Sequence, residues 1–415
     1  MKILLYGINF APELTGIGKY TGEMAAWLVK AGHEVRVVTA PPYYPDWRVA
    51  EGYGARRYAH EMWEGARVWR SPLWVPKRPS GAKRLLHLAS FAAFSLPVMF
   101  RQLLWRPDVV WVVEPPLACA PAALCVARLA RARAWLHIQD YEVDAAFALG
   151  LLKGRFAKRI VTTLERWLMR RFDQVSTISD SMLKHAQDKG VEPERLVHCP
   201  NWIDLGHIFP LAEPSSYRAE LNIPNSSVVA LYSGNMGNKQ GLEILADAAR
   251  LLADEPNLTF VFCGNGAGRK DLEAQTKGLS NVRFLDLQPT ERLNDLLGLA
   301  DIHLLPQRAD AADLVMPSKL TGMLASGRVV VATAHAETEL GRVVSKCSVI
   351  TTPGDAQAFA DAIRSLAHDS GRRHALGMAG REYAEMKLNI SHILQDFEYL
   401  LKREMPESRL ARKYL

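Results

Sequence analysis

Cysteine is scarce in this chain of 415 residues. The five present, Cys119, Cys125, Cys199, Cys263 and Cys347, are odd in number and scattered, and no C-x-x-C occurs. That spacing excludes a disulfide framework and a zinc ribbon, and it fits a reducing compartment. Long apolar runs are also missing. The longest uncharged apolar stretch, Leu85–Phe100, has 16 residues and is interrupted by His87, Ser90, Ser95 and Pro97. A spanning helix needs roughly 20 apolar residues, so a single-pass anchor there is disfavoured. The N-terminus, MKILLYGIN, has one short apolar run followed by polar residues, and it reads as a first strand rather than a signal peptide.

Acidic residues are short in one half only. Residues 1–200 carry 28 Lys and Arg against 18 Asp and Glu; residues 201–415 carry 23 against 26, for a net charge of +7. Such asymmetry indicates that the first half meets an anionic surface or substrate. Its basic residues cluster twice. Lys77, Arg78, Lys83 and Arg84 precede the apolar stretch, and Arg101 and Arg106 follow it. The second cluster is Lys153, Arg155, Lys158, Arg159, Arg166, Arg170 and Arg171. It is interleaved at helical spacing with Phe156, Ile160, Val161, Leu164, Trp167 and Leu168, giving one apolar and one basic face. The two clusters together favour peripheral contact with anionic lipid. No RNA- or DNA-binding motif accompanies the charge, so nucleic acid is not an expected partner.

The composition, 48% hydrophobic and 23% charged, supplies large cores, and the length fits two or three domains. Short β-branched runs alternate with longer amphipathic stretches. Strands are predicted over Lys2–Asn9, Glu34–Ala40, Asp108–Val113, Ala134–Gln139, Gln174–Ser179 and Leu196–Cys199, with a helix over Gly18–Lys30. The rhythm restarts at Ser227–Ser233 and continues through Leu258–Cys263, Val282–Leu285, Asp301–Leu305, Arg328–Thr333 and Ser348–Thr351. This implies an α/β chain of two Rossmann-like, doubly wound domains with a cleft between them. The boundaries expected are 1–204, a Pro- and Ser-rich linker at 205–226, a second domain at 227–383, and charged C-terminal helices over 384–415 that pack back across the joint or end as a basic tail.

Three glycine-containing turns follow predicted strands: Pro12–Lys19, with Gly16 and Gly18; Tyr232–Gly241, with Gly234, Asn235 and Lys239; and Cys263–Gly268, with Gly264 and Gly266. Each lets backbone approach a ligand at the positive end of a helix. None is a G-x-G-x-x-G at the first strand with an acid about 20 residues on, which argues against an NAD-dependent oxidoreductase. In Met316–Arg328 a proline precedes a helix start, so backbone N–H groups near Ser318, its hydroxyl and the Lys319 ammonium can face an anion. Lys239 supplies a second cation, and the two lysines form a candidate diphosphate clamp.

These segments resemble the GT-B glycosyltransferases of the large retaining family GT4, over nearly the whole chain. Met1–Lys19 is similar to the opening strand and acceptor-side loop, and Ser176–Val191 to the end of the N-terminal domain. Pro200–Pro210 resembles the family's joint signature, and Ser233–Lys239 and Pro317–Gly327 its donor diphosphate loops. The strings YGINFAPELTGIGKYTGEM, TAPPYYPDW, LHIQDYEVDA and YSGNMGNKQGLE resemble, more narrowly, the colanic-acid-type exopolysaccharide enzymes. The resemblance implies a nucleotide-sugar donor, with GDP-fucose the first guess and a UDP-sugar the next. It implies a polyprenyl-diphosphate-linked saccharide as acceptor, a peripheral position at the cytoplasmic face of the inner membrane, and no metal or other cofactor.

It also implies roles. Lys239 and Lys319 would stabilise the leaving diphosphate, with backbone near Gly234 and Ser318. Asp140 and Glu13 would orient the acceptor hydroxyl. Gly264, Gly266 and Gly268 would leave room for the nucleotide, Leu287 would offer backbone to the base, and Leu320 and Glu339 would flank the donor, a helix cap being the other reading of Glu339. Three departures stand out. Family members carry two glutamates eight positions apart; this chain has no such pair, and the corresponding positions are Leu314, beside Asp313, and Gly322. Asp313 is then the candidate for the sugar contact. The usual His-Asp pair is Gln139-Asp140, with His137 two positions earlier, and the usual donor-loop Arg is Asn235. The missing glutamates keep open a rival reading, a catalytically weak GT-B scaffold of a polysaccharide complex.

Overall fold

A computed structural model describes residues 1–14, 16–77, 81–148, 155–237, 240–308 and 317–403. The chain divides into two compact units. Unit 1 is Met1–Pro200 with Leu394–Leu415, and unit 2 is Asn201–Ile393.

Among the described residues, unit 1 is built on eight strands: β1 (Lys2–Tyr6), β2 (Glu34–Thr39), β3 (Ala59–Trp63), β4 (Ala66–Arg70), β5 (Val109–Glu114), β6 (Arg133–Ile138), β7 (Gln174–Thr177) and β8 (Leu196–His198). Their order across the sheet is β3-β4-β2-β1-β5-β6-β7-β8, and only β3–β4 is antiparallel. The central strand β5 is buried at every residue, as a strand covered on both faces must be. On one face Leu4, Tyr6, Val110, Val112, Leu136, Ile138 and Val175 meet the helices Gly81–Arg101, Ala120–Ala130 and Arg155–Met169. On the other, Trp111 and Trp135 receive Phe397 with ring centroids 6.3 and 5.0 Å away. The helix Ile390–Arg403 that carries Phe397 is fixed further by Glu398 Oε1, 2.9 Å from His33 Nε2.

Among the described residues, unit 2 holds a six-stranded parallel sheet: β9 (Val228–Ser233), β10 (Leu258–Cys263), β11 (Val282–Leu285), β12 (Ile302–Leu305), β13 (Val329–Thr333) and β14 (Ser348–Thr351), in the order β11-β10-β9-β12-β13-β14. Segment 205–226, read above as a linker, folds into this unit. Tyr217 and Ile223 are buried against Val229, Leu231 and Val261, and Arg218 pairs with Asp301 at 2.7 Å.

The twelve strands read from the sequence all form, with ends within three residues of expectation. The hairpin β3–β4 is an addition. Its two-residue turn, Glu64-Gly65, has φ of 45° and 84°, the positive pair that matches the twist of a hairpin. Glu-Gly is a weaker signal than Asn-Gly or Asp-Gly, and β3 is mostly exposed, so no apolar run marks it. The stretch Leu85–Phe100 lies inside the helix Gly81–Arg101. Among the described residues, no helix is long and apolar enough to cross a membrane.

Candidate active site

In an open parallel sheet the loops leaving the strands' carboxyl ends share one edge, and a crevice opens where the strand order reverses. In unit 2 that point lies between β9 and β12. The loop after β9 begins at Gly234 (φ 133°), and the loop after β10 carries Gly264 (φ 141°) and Gly266 (φ 152°). A Cβ at Gly264 would collide with the carbonyl oxygen of Gly234, and one at Gly266 would lie 2.5 Å from that of Met236 and 2.8 Å from Asn235 Oδ1. The two loops therefore touch backbone to backbone. Met236 N donates to Asn265 O at 2.9 Å, and Gly268 N donates to Met236 O at 2.8 Å.

Lys319 enters this place from the other side of the reversal. It is the first residue of the helix Lys319–Ala325, which follows β12. Its Nζ donates to Tyr232 Oη at 3.3 Å and lies 4.3 Å from that ring's centroid. A Cβ at Gly234 would stand 4.0 Å from the same Nζ. The fully buried Tyr232 in turn donates to Asn235 O at 2.7 Å, so one phenol ties the ammonium to the glycine loop. Burial pulls the Lys319 ammonium down to about 7. Such a cation is poised to gain from an incoming anion.

Ser318 is exposed beside Lys319, and its hydroxyl makes no capping bond. The Leu320 side chain points into the core, so this residue can offer only backbone to a ligand. Leu287 is 55% exposed after β11. Its neighbour Asp286 receives Arg269 at 2.6 Å, and the same guanidinium donates to Gly264 O at 2.8 Å, which links the loops after β10 and β11. Thr338 caps the helix Glu339–Val344 by accepting from Gly341 N at 3.0 Å; Glu339 is the first helical residue and not the cap. Lys239 and Asp313 lie outside the described residues.

In unit 1 the strand order reverses between β1 and β5. Glu13, expected to orient an acceptor, is 5% exposed and fully engaged. Its Oε1 accepts from Tyr43 N and Tyr44 N, each at 3.0 Å, and its Oε2 accepts from Asn9 Nδ2 at 2.8 Å. Burial pushes its carboxyl above the usual range even against those donors. A Cβ at Gly18 would lie 2.5 Å from Glu13 Oε2, and Gly16 has φ 62°. Glu13 therefore braces the loop after β1 against the loop after β2. Asp140 is half-buried just past β6. Its neighbour Gln139 donates through Nε2 to His137 Nε2 at 2.9 Å, while His137 Nδ1 lies 2.8 Å from Ser176 Oγ. Burial pulls His137 down to about 3, so its ring is neutral and fixes the Gln139 amide.

Three residues here escape sequence reasoning. One is Tyr232. Another is Arg308, just past β12, whose side chain covers Gly241 (φ 66°): a Cβ there would lie 3.5 Å from Arg308 Cγ. The glycine loop after β9 thus has Lys319 at its start and Arg308 at its end. The third is Glu114, at the carboxyl end of β5. It is wholly buried, with neither carboxyl oxygen hydrogen-bonded among the described residues. Burial first, and then the nearby Glu142 and Glu165, push its pKa well above the carboxylate range.

Comparison with known proteins follows the same division. Residues 15–202 match a glycosyl transferase 4-like domain, and residues 227–369 match the glycosyl transferases group 1 domain. The chain is 47% identical to the putative colanic acid biosynthesis glycosyl transferase WcaI of Escherichia coli K12, over 96% of this chain and 98% of that one. Among solved structures it resembles sucrose-phosphate synthase from Thermosynechococcus elongatus, with a TM-score of 0.73 at 18% identity, covering 97% of this chain and 98% of the other. It also resembles Anabaena Alr3699/HepE in complex with UDP and glucose, with a TM-score of 0.68 at 16% identity, covering 97% and 99%. These structural neighbours share the GT-B fold.

Proposed function

Since the chain belongs to the GT4 glycosyltransferases, in the group of the colanic-acid biosynthesis enzymes, we propose that it moves a hexosyl group, with retention, from a nucleotide sugar bound by unit 2 to a polyprenyl-diphosphate-linked saccharide bound by unit 1. The observation that carries the donor side is the meeting of the Lys319 ammonium with Gly234 where unit 2's strand order reverses. Breaking the bond from the sugar's anomeric carbon to phosphate places negative charge on the departing diphosphate. A fixed cation and aimed backbone N–H groups stabilise that charge without reorganising. Lys319, the backbone at Gly234 and Ser318, and Lys239 fill this role, and these groups leave no step that calls for a metal. The acceptor hydroxyl attacks from the face the diphosphate leaves, and its proton passes to a diphosphate oxygen. Asp140 orients that hydroxyl, while Glu13 acts through the loop it braces.

The acceptor class follows from the basic first half and from the relative's role in colanic acid biosynthesis. We place the work at the cytoplasmic face of the inner membrane, where the basic surface meets anionic lipid. GDP-fucose is the first donor to try. UDP-sugars come next, since the Anabaena neighbour was solved with UDP and glucose.

One observation favours a second reading, a scaffold with weak catalysis. Gly322 occupies the place of the family's second glutamate and is buried, and a Cβ there would lie 3.1 Å from Leu297 Cδ1. A donor screen separates the two. The protein, in EDTA, is given a panel of nucleotide sugars with a lipid-diphosphate saccharide, and released nucleoside diphosphate is read. The proposal expects release with one donor class, dependent on the acceptor. Absence of transfer and of hydrolysis across the panel leaves the scaffold.

A further inference from the structure

The helix Gly81–Arg101 buries His87, Phe91, Ser95, Val98 and Met99. A helix packed on one side normally carries charged and polar residues on the other. Here every exposed residue between Arg84 and Arg101 is apolar, with Leu86, Phe94, Leu96 and Phe100 exposed by 58, 49, 39 and 42%. Leu104, just beyond, is 87% exposed. At 1.5 Å per residue this uncharged face runs for about 20 Å.

The helix Arg155–Met169 lies on the same face of the unit 1 sheet. Its Leu168 and Met169 enter the core that Phe91, Val98 and Met99 enter. The sequence suggested one continuous apolar face on this helix, but the structure divides it. Ile160, Leu164 and Trp167 remain 51, 51 and 50% exposed, at the i, i+4, i+7 spacing of one stripe. Lys158, Arg159 and Arg166 are exposed around them. The helix's one acid, Glu165, is buried and paired with Lys189 at 2.5 Å, so the outer side carries no negative charge. The outer sides of both helices face away from the same sheet.

Apolar exposure on this scale marks a surface that something covers. Charge decides what. No Asp or Glu occurs between Glu64 and Asp108, a stretch that holds eight Lys and Arg. Lys83 and Arg84 stand exposed at one end of the first helix, and Arg101 and Arg106 at the other. Margins of one sign repel a second copy of the same surface, whereas they match a plane of anionic headgroups. We propose that unit 1 lies on an anionic lipid bilayer by this surface. Leu86, Phe94, Phe100, Ile160, Leu164 and Trp167 sink to the headgroup–acyl boundary, and the lysines and arginines meet lipid phosphates. The inference deepens the membrane contact read above, on which it rests, by naming the inserting residues; insertion adds to attraction by charge.

The test uses full-length protein and vesicles of phosphatidylcholine, alone or mixed with phosphatidylglycerol, with the bound fraction read by flotation over a series of KCl concentrations. Wild type should float with the mixed vesicles, binding less as salt rises but keeping a salt-resistant fraction. Phe94→Ser with Phe100→Ser, and separately Ile160→Ser with Trp167→Ser, should each cut that binding at least about tenfold at every salt concentration, with the unfolding midpoint unchanged. Lys83→Gln with Arg101→Gln should weaken it at low salt only. Wild-type binding by the apolar variants overturns the proposal, and so does failure of wild type to float. A dimer in sedimentation velocity that the apolar substitutions dissolve also overturns it, because a second copy then covers the surface. A short-chain, water-soluble diphosphate acceptor separates this proposal from the reaction. Transfer to it by protein that ignores vesicles defeats the docking alone; vesicle binding without transfer to any donor–acceptor pair defeats the reaction alone.

Discussion

At the scale of single residues, the donor site turns on one desolvated ammonium. Lys319 in the folded chain sits near 7 instead of its ordinary 10.5. An unfolded chain therefore holds a proton that the folded chain gives up above about that pH, so this group's contribution to stability rises with pH between the two values. Donor binding has the opposite sign, because a diphosphate favours the charged form. Titration calorimetry with a nucleoside diphosphate in buffers of different ionisation enthalpy should show proton uptake on binding near pH 8, and affinity should fall as pH rises from 7 to 9, the range above the value for Lys319. Lys319→Met should abolish the uptake; uptake that persists would assign it to another group. Lys319 and the glycines at 234, 264 and 266 were legible in the sequence because each lies in a short local pattern, a turn after a strand or a helix start. Tyr232 was not, since its value lies in a hydrogen bond to a residue 87 positions away. Glu13 was legible as a polar residue of a special loop, but not as a brace, because its donors Tyr43 and Tyr44 come from a different loop.

At the scale of elements, near-continuous apolar runs announce parallel strands, and that is why twelve of them could be read in place. The hairpin β3–β4 could not, because its outer strand is exposed and its turn carries a weak dipeptide. The reading of segment 205–226 as a linker rested on proline and serine content, which says nothing of the core that Tyr217 and Ile223 enter. The glycine loops yield a prediction of their own. Gly264→Ala places a methyl group against the Gly234 carbonyl at a φ of 141°, so the two loops must part. Transfer should fall by about a hundredfold, the cost of a small misplacement at a reacting centre. Circular dichroism should show the sheets intact. Full activity in that variant would mean that the loop contact does not shape the donor site.

At the scale of the whole molecule, the chain leaves unit 1 at Pro200 and returns to it at Leu394. The returning helix is held by Phe397 between Trp111 and Trp135. Phe397→Ala should destabilise unit 1 by about 3–5 kcal/mol, as loss of a buried aromatic does. Denaturant unfolding followed by tryptophan fluorescence reads this directly; an unchanged midpoint would make the returning helix an accessory. The claim on which the rest depends is that unit 2 grips the donor's diphosphate through Lys319. Calorimetric titration of the nucleoside diphosphate of the active donor into wild type and Lys319→Ala tests it most directly. Wild type should bind saturably and the variant at least about tenfold more weakly, with the unfolding midpoint preserved. Equal affinity in the two proteins would contradict it.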